Sequence, residues 1–436
     1  MSEPETAPQQ PAAGRREILA WAFFDFANSG YTTVVLTTIY SAYFVAVVAA
    51  GLDEQSPGSA TVVWTMAIAA ANLIVLLSGP VIGAIADRRA SKKPFLMWSA
   101  ALCIASTALL AFAGPERLEL AVLLVVISAV AFASGENLIA AFLPEIAKPQ
   151  EMGRISGYGW SLGYFGGLLT LAACLGYITW AESVQKPATH SVPVTLLITA
   201  AIFALTAMPT FIWLRERALP RVGGSTSYLR EGMQEVLGTL RHAARLADLF
   251  RFLGCLVLFQ AGVATVVVVA AIYAQEVMGF DRTQLIMLIM VVNLTAAAGA
   301  FVFGYAQDRF GSVPSLAGAL LVWIAAIGTA YFITSESAMW VVGNLIGLSM
   351  GATQAGGRAL IGRLTPERRN AEIFGLWGLA NRAAAIVGPI SYGLIIDATG
   401  GDYRAALLST LAFFVVGLLL LCTVNERRGM AAAGAV

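Results

Sequence analysis

Residues 83–93 read Gly83-Ala-Ile-Ala-Asp87-Arg88-Arg89-Ala-Ser-Lys92-Lys93, and they follow an apolar run over 60–86. An apolar stretch of some 20 residues that stops abruptly on a basic block reads as a helix leaving a membrane. The same punctuation returns 221 residues later, where a second apolar run ends on Gly304-Tyr-Ala-Gln-Asp308-Arg309. Both copies have a glycine, three residues, then Asp-Arg. A weaker echo pairs Ser156-Gly157-Tyr-Gly-Trp160 with Phe374-Gly375-Leu-Trp377. Repetition at this distance relates two halves of the chain rather than two short motifs.

The rest of the sequence fits that frame. Of 436 residues, 58% are hydrophobic and only 12% are charged, against about 25% charged in an ordinary soluble domain. Twelve stretches are long and apolar enough to span, near 18–49, 60–86, 94–113, 118–143, 155–180, 192–214, 250–277, 283–306, 314–334, 338–362, 371–397 and 403–424. Helix is the expected state, because an open sheet cannot satisfy its backbone in lipid. Placing the N-terminus in the cytoplasm puts 21 of the 27 Lys and Arg residues in inner segments and four in outer loops. That asymmetry predicts twelve spans with both termini cytoplasmic. The expected fold is an all-α membrane protein of two pseudo-symmetric six-helix bundles, 18–214 and 250–424. A polar, disordered cytoplasmic tail over 1–17 precedes them and a cytoplasmic tail over 425–436 follows. Between them, 215–249 reads as a cytoplasmic linker, with Pro220 and Gly223-Gly224 first. Leu229, Met233, Val236, Leu240 and Ala244 then share one face of an amphipathic helix suited to a membrane surface.

Ionisable side chains inside spans are costly, so each one is a functional candidate. Away from the span ends there are four: Asp25, Glu136, Arg358 and Arg382. Asp25 and Asn28 share a face of the first span, roughly 10 Å from its inner boundary. Glu136 and Asn137 lie at similar depth on the fourth. Arg358 and Gln354 share a face of the tenth, and Arg382 lies deeper in the eleventh, within a turn of Trp377. An arginine there suits an anionic group on a solute. A carboxylate suits an amine or a proton, because burial raises its pKa toward neutrality. The competing reading is that the charges pair with one another as structural or gating ion pairs.

Other chemistries find little support. A net charge of +1 gives no reason to expect nucleic acid. Two G-x-S-x-G matches, Gly159…Gly163 and Gly347…Gly351, lie within helical runs, whereas a hydrolase elbow needs a strand, a turn and a helix. Cys103, Cys174, Cys255 and Cys422 read as small apolar residues of the spans. No metal cluster, nucleotide loop or cofactor motif is present, so no enzyme, cofactor or metal is expected.

The Gly83…Asp87-Arg88…Lys92-Lys93 segment resembles the loop motif of the major facilitator superfamily. Within it, the chain is similar to the vacuolar amino-acid effluxer branch (autophagy-related effluxers) and its bacterial relatives. That likeness rests on Trp21-Ala-Phe-Phe-Asp25-Phe-Ala-Asn28-Ser29, Asn137…Phe142-Leu143-Pro144-Glu145, Arg154-Ile-Ser156-Gly157-Tyr-Gly159-Trp160 and Gln354…Arg358. The resemblance implies alternating-access secondary transport, with helices 1, 4, 7 and 10 lining a central cavity. It also implies a gate at Gly83, Asp87 and Arg88, with a second copy at Gly304, Asp308 and Arg309. The second copy lacks the lysine pair and is expected to act less strongly. The implied partners are a small solute, with exported amino acids first, protons and the lipid bilayer. The chain would work as a monomer in a bacterial inner membrane. The alternative is a non-transporting sensor or scaffold, which would need neither the duplicated gate nor charges facing a cavity.

Overall fold

The computed structural model describes residues 13–53, 56, 58–218, 220, 228–241, 243–366, 369–400 and 402–435. Residues 1–12 of the expected tail, and 221–227 of the expected linker with Gly223-Gly224, lie outside the described residues. The first six long helices are α1 (Arg15–Val48), α2 (Ser59–Arg89), α3 (Lys92–Leu110), α4 (Leu118–Ala140), α5 (Met152–Ser183) and α6 (Ala188–Trp213). The second six are α7 (Ala247–Glu276), α8 (Arg282–Phe310), α9 (Ser312–Phe332), α10 (Glu336–Leu364), α11 (Asn370–Ala398) and α12 (Arg404–Leu421). The first helix begins at Arg15, inside the segment expected to be a tail.

Eleven helices among the described residues are long and apolar enough to cross a membrane, one fewer than the twelve expected. The exception is α10, which is long enough at 29 residues. It falls short on apolarity, since it carries Asn344, Thr353, Gln354 and Arg358 among many glycines. Protein surrounds it: from Ala355 to Leu364 every residue is buried. A helix enclosed by its neighbours has no need of an apolar outer face. Elsewhere Met66, Leu77, Trp98, Leu205, Leu394 and Leu419 stand exposed along the spans, as a surface that meets lipid requires.

Small residues set the packing. α2 lies on α11, and α5 on α8, so each half sends one helix against the other. Gly83 faces the Ala371 carbonyl so closely that a methyl group there would collide with it. Gly153 and Gly157 likewise face Gly304 and Ala300. Such glycines let helix backbones approach closely. Within the second half, Gly347 and Gly351 do the same for α10 against Val292 and Ala296 of α8.

Two stretches of α1, Thr32–Thr38 and Phe44–Val48, are π-helical. Thr37 and Thr38 donate to the Thr33 carbonyl there, at 2.9 and 2.5 Å. The linker forms a helix over Tyr228–Arg241. Its Val236 is buried with Val81 and Ala84 of α2, while Met233 and Leu237 stay exposed. A last helix, Glu426–Gly434, follows α12.

Candidate functional site

Call the end of the bundle that carries Arg15, Asp87, Lys92 and the linker the basic end. There the two Asp-Arg motifs do corresponding work. The Asp87 carboxylate accepts from the Glu372 amide at 2.9 Å, capping the first turn of α11. Asp308 accepts from the Gly153 and Arg154 amides at 2.8 and 3.0 Å, capping α5. Each carboxylate therefore neutralises the positive helix terminus of the opposite half. Cations complete both arrangements. Lys92 Nζ lies 3.4 Å from Asp87 and bonds Glu145. Arg363 donates to Asp308 at 2.8 Å and to Glu426 at 2.6 Å. Arg363 thus stands where the second motif lacks its lysines.

The segments after α6 and α12 carry further acids. Glu216 accepts from the Lys92 and Lys93 amides at 2.7 and 3.1 Å, capping α3. Glu426 accepts from the Ser312 amide and hydroxyl, both at 2.8 Å, capping α9. Glu17 takes both terminal nitrogens of Arg217, and Asp248 takes two nitrogens of Arg428. Burial would push the Glu426 carboxyl up, but bonds from Arg363 and Ser312 outweigh it and hold the group below the ordinary glutamate value. For Glu216 burial dominates over the amide bonds, and the carboxyl titrates above that value. Arg309 projects outward over the Phe310 ring, and Arg88 is half-buried at the end of α2.

Deeper in the bundle the four intramembrane charges form two pairs, and each pair crosses between halves. Arg358 of α10 donates to Asp25 of α1 at 2.7 Å. Its remaining nitrogens are also committed, Nε to the Ser156 hydroxyl at 3.1 Å and Nη2 to the Ser156 carbonyl at 2.9 Å. The guanidinium sits 4.7 Å from the Trp21 ring centre and 5.5 Å from that of Trp160, a cation–π arrangement. Gly159 makes this possible, since a side chain there would strike Asp25 and Arg358. The second pair joins Arg382 of α11 to Glu136 of α4 at 2.8 Å. It is the more open of the two, with side chains 19% and 29% exposed against 3% and 13% for Arg358 and Asp25. Arg382 Nε is buried with no hydrogen-bond partner among the described residues.

The neighbouring candidates divide. Gln354 does not join Arg358 despite sharing its helix face; its carbonyl accepts from Gln260 of α7 at 2.9 Å. Asn28 is buried near Asp25 with its carbonyl oxygen unpartnered. Asn137 is wedged between Gly79 of α2 and Gly378 of α11, so it belongs to the seam between halves. Trp377 is buried edge-on to Phe374 at 5.9 Å, and its carbonyl accepts from Asn381. Sequence reading passed over Gln260, Ser156 and Arg363. Gln260 is a lone amide in an apolar span, a signal that attention to charges alone misses.

Cross-half hydrogen bonds among the described residues run from the basic end to about mid-depth. Ser161 donates to the Ala297 carbonyl at 2.7 Å, and Arg382 lies roughly 18 Å into α11. Among the described residues no group of three or more His, Cys, Asp or Glu side chains could hold a metal ion. Ser161 and Ser349, the centres of the two G-x-S-x-G matches, lie within α5 and α10.

Comparison with known proteins agrees with this architecture. The family model described as "Vacuole effluxer Atg22 like" matches residues 13–434. The MFS-type transporter YxiO of Bacillus subtilis (strain 168) is 26% identical over 409 residues, covering 93% of this chain and 94% of its own. Autophagy-related protein 22-1 of Penicillium rubens is 26% identical over 307 residues. That match takes in 65% of this chain, which spans about half (51%) of the fungal protein's length. Among solved structures, the human organic anion transporter MFSD10 superposes with a TM-score of 0.75 at 15% identity. The superposition covers 95% of this chain and all of that one. The fold is that of the major facilitator superfamily.

Proposed function

The chain belongs to the vacuole effluxer Atg22-like family of multi-pass membrane transporters, and we propose that it is a secondary active transporter of a small polar or zwitterionic solute. The observation that carries this reading is the pair of cross-half ion pairs, Asp25–Arg358 and Glu136–Arg382, buried within the spans. Ions in such a place persist only when paired, since stranding one costs several kcal/mol. Pairs that join the two halves must separate when the halves rock apart, so they sit where binding can drive movement.

The two pairs have different duties in this proposal. Asp25–Arg358 is saturated with partners and enclosed by Trp21 and Trp160, and it locks the basic end. Glu136–Arg382 is more open, and Arg382 keeps an unused donor. A zwitterion replaces this pair by placing its anionic group on Arg382 and its amine on Glu136. Amino acids are the first such solutes to consider. A proton competes with the amine for Glu136, which links transport to a pH gradient. With the basic end in the cytoplasm of a cell membrane, the conformation described is closed inside, and export ends with release from the opposite face. A single copy of the chain suffices for the cycle.

Proteoliposomes holding the full chain test this. Labelled amino acids should move down an imposed pH gradient, and Glu136→Gln should abolish the pH-driven component and weaken solute exchange, since the amine loses its carboxylate. Absence of flux for every amino acid at both gradient polarities would refute the amino-acid reading. Full pH-driven transport in Glu136→Gln would remove Glu136 as the proton site.

A further inference from the structure

Three amides converge in the second half, one from each of three helices. Gln260 of α7 donates through Nε2 to Gln354 of α10 at 2.9 Å and to Asn381 of α11 at 2.8 Å. Their orientations follow from one another. Asn381 gives its amide nitrogen to the Trp377 carbonyl at 3.1 Å, so its oxygen must be the acceptor toward Gln260. Gln260 must then present its nitrogen to that oxygen, which turns its own carbonyl oxygen the other way. That oxygen is buried and accepts from nothing among the described residues. Gln260 itself is only 9% exposed. An amide oxygen buried without a donor costs on the order of 1–3 kcal/mol, so it calls for an explanation. Gln354 turns its oxygen to Gln260, and its Nε2 makes no hydrogen bond among the described residues and, unlike the Gln260 oxygen, is not a buried unpartnered atom. The next residue after Asn381 is Arg382, with its unpartnered Nε.

We infer that Gln260, Gln354 and Asn381 form a subsite for an uncharged hydrogen-bonding group of the solute, a hydroxyl or a carboxamide. This rests on the transport reading above and extends it. The unpartnered carbonyl of Gln260 needs a donor, and the nitrogen of Gln354 is available to an acceptor. A hydroxyl or a carboxamide supplies both, whereas an aliphatic side chain supplies neither. Arg382 follows Asn381 in α11, and in this proposal it and Glu136 hold the charged ends of the same molecule. A site built to bond a polar group rejects an analogue that lacks it, because its own buried groups are then stranded. The trio therefore selects among zwitterions by side chain, while the ion pair admits zwitterions as a class.

The experiment uses labelled L-glutamine, L-serine and L-leucine as probes in proteoliposomes of the full chain. The wild type should carry glutamine and serine about tenfold faster than leucine, measured as the ratio of kcat/KM. Gln260→Met keeps the length and removes the amide; it should bring that ratio near one, by lowering glutamine and serine flux and raising leucine flux. Gln354→Met is the second variant, read by the same ratio, should the first fail to yield folded protein. Wild-type flux that favours leucine or treats all three alike would overturn the subsite and leave the transport reading standing. So would an unchanged ratio in a folded variant. No flux of any probe in the wild type would overturn both.

Discussion

The two halves solve one problem at the basic end with differently placed charges. In each, an aspartate closing the second helix caps a helix of the other half, Asp87 on α11 and Asp308 on α5. In each, a glutamate after the sixth helix caps the third, Glu216 on α3 and Glu426 on α9. The cation differs. Lys92 comes from the start of α3, whereas Arg363 comes from the end of α10. Arg363 lies 218 residues after Glu145, the offset that also relates Gly157 to Gly375. The position that supplies an acid in the first half thus supplies the base in the second. The two halves share the capping geometry and differ in which element carries the cation, because local neutrality is all that a cap requires.

That comparison can be broken at several points. The largest expected effect is at Arg363, whose removal leaves Asp308 and Glu426 together without their cation. Arg363→Met should destabilise the protein by about 3 kcal/mol, read as a lowered unfolding midpoint. Adding Glu426→Gln should recover part of the loss; no recovery would show that the pair does not act as one unit. Next come the caps themselves. Asp308 accepts two amides and an arginine; Asp87 accepts the Glu372 amide, with the Ala371 amide also turned toward it and a lysine at longer range. Asp308→Asn should cost about 2 kcal/mol and Asp87→Asn somewhat less, because only Asp308 bonds its cation directly. Both should raise the accessibility of a cysteine placed at the basic end, the former more. Equal labelling in the two variants would erase the proposed asymmetry.

The smallest effect is in pH dependence, and its sign differs between halves. Glu426 is held below the ordinary glutamate value, so its contribution is present above about pH 4.3 and fades as pH falls through its lowered pKa. Glu216 is held above that value, so the folded state takes up a proton first and gains relative stability as pH falls through the raised pKa. Glu426→Gln should therefore lower the unfolding midpoint at pH 7 and not in acid. Glu216→Gln should leave it unchanged or slightly raised at pH 7. Parallel curves for the two variants would count against the contrast.

Much of the fold could be read from the chain because its signals are local. Apolar runs and basic blocks need no partner to be recognised, and the Asp87 and Asp308 motifs marked the two halves. The enclosed α10 is the weakest of the twelve runs for a physical reason: a helix packed on all sides can carry Gln354 and Arg358 without meeting lipid. The four intramembrane charges were equally visible, but not their pairing. Nothing along the sequence ties Asp25 to Arg358 rather than to Arg382. Which helices are capped was hidden for the same reason, since Asp87 and Glu372 meet only through folding. Asn28, Asn137 and Gln354 were weighed because each lies near a charge in its span; Gln260 has none near it and was passed over.

Arg358 belongs to one half, while the indoles of Trp21 and Trp160 that flank it belong to the other. On the proposed cycle, opening the basic end carries the guanidinium away from both rings. The protein then reports its own conformation optically: the emission of these two tryptophans changes once per turnover, so the rocking rate can be followed without any attached dye.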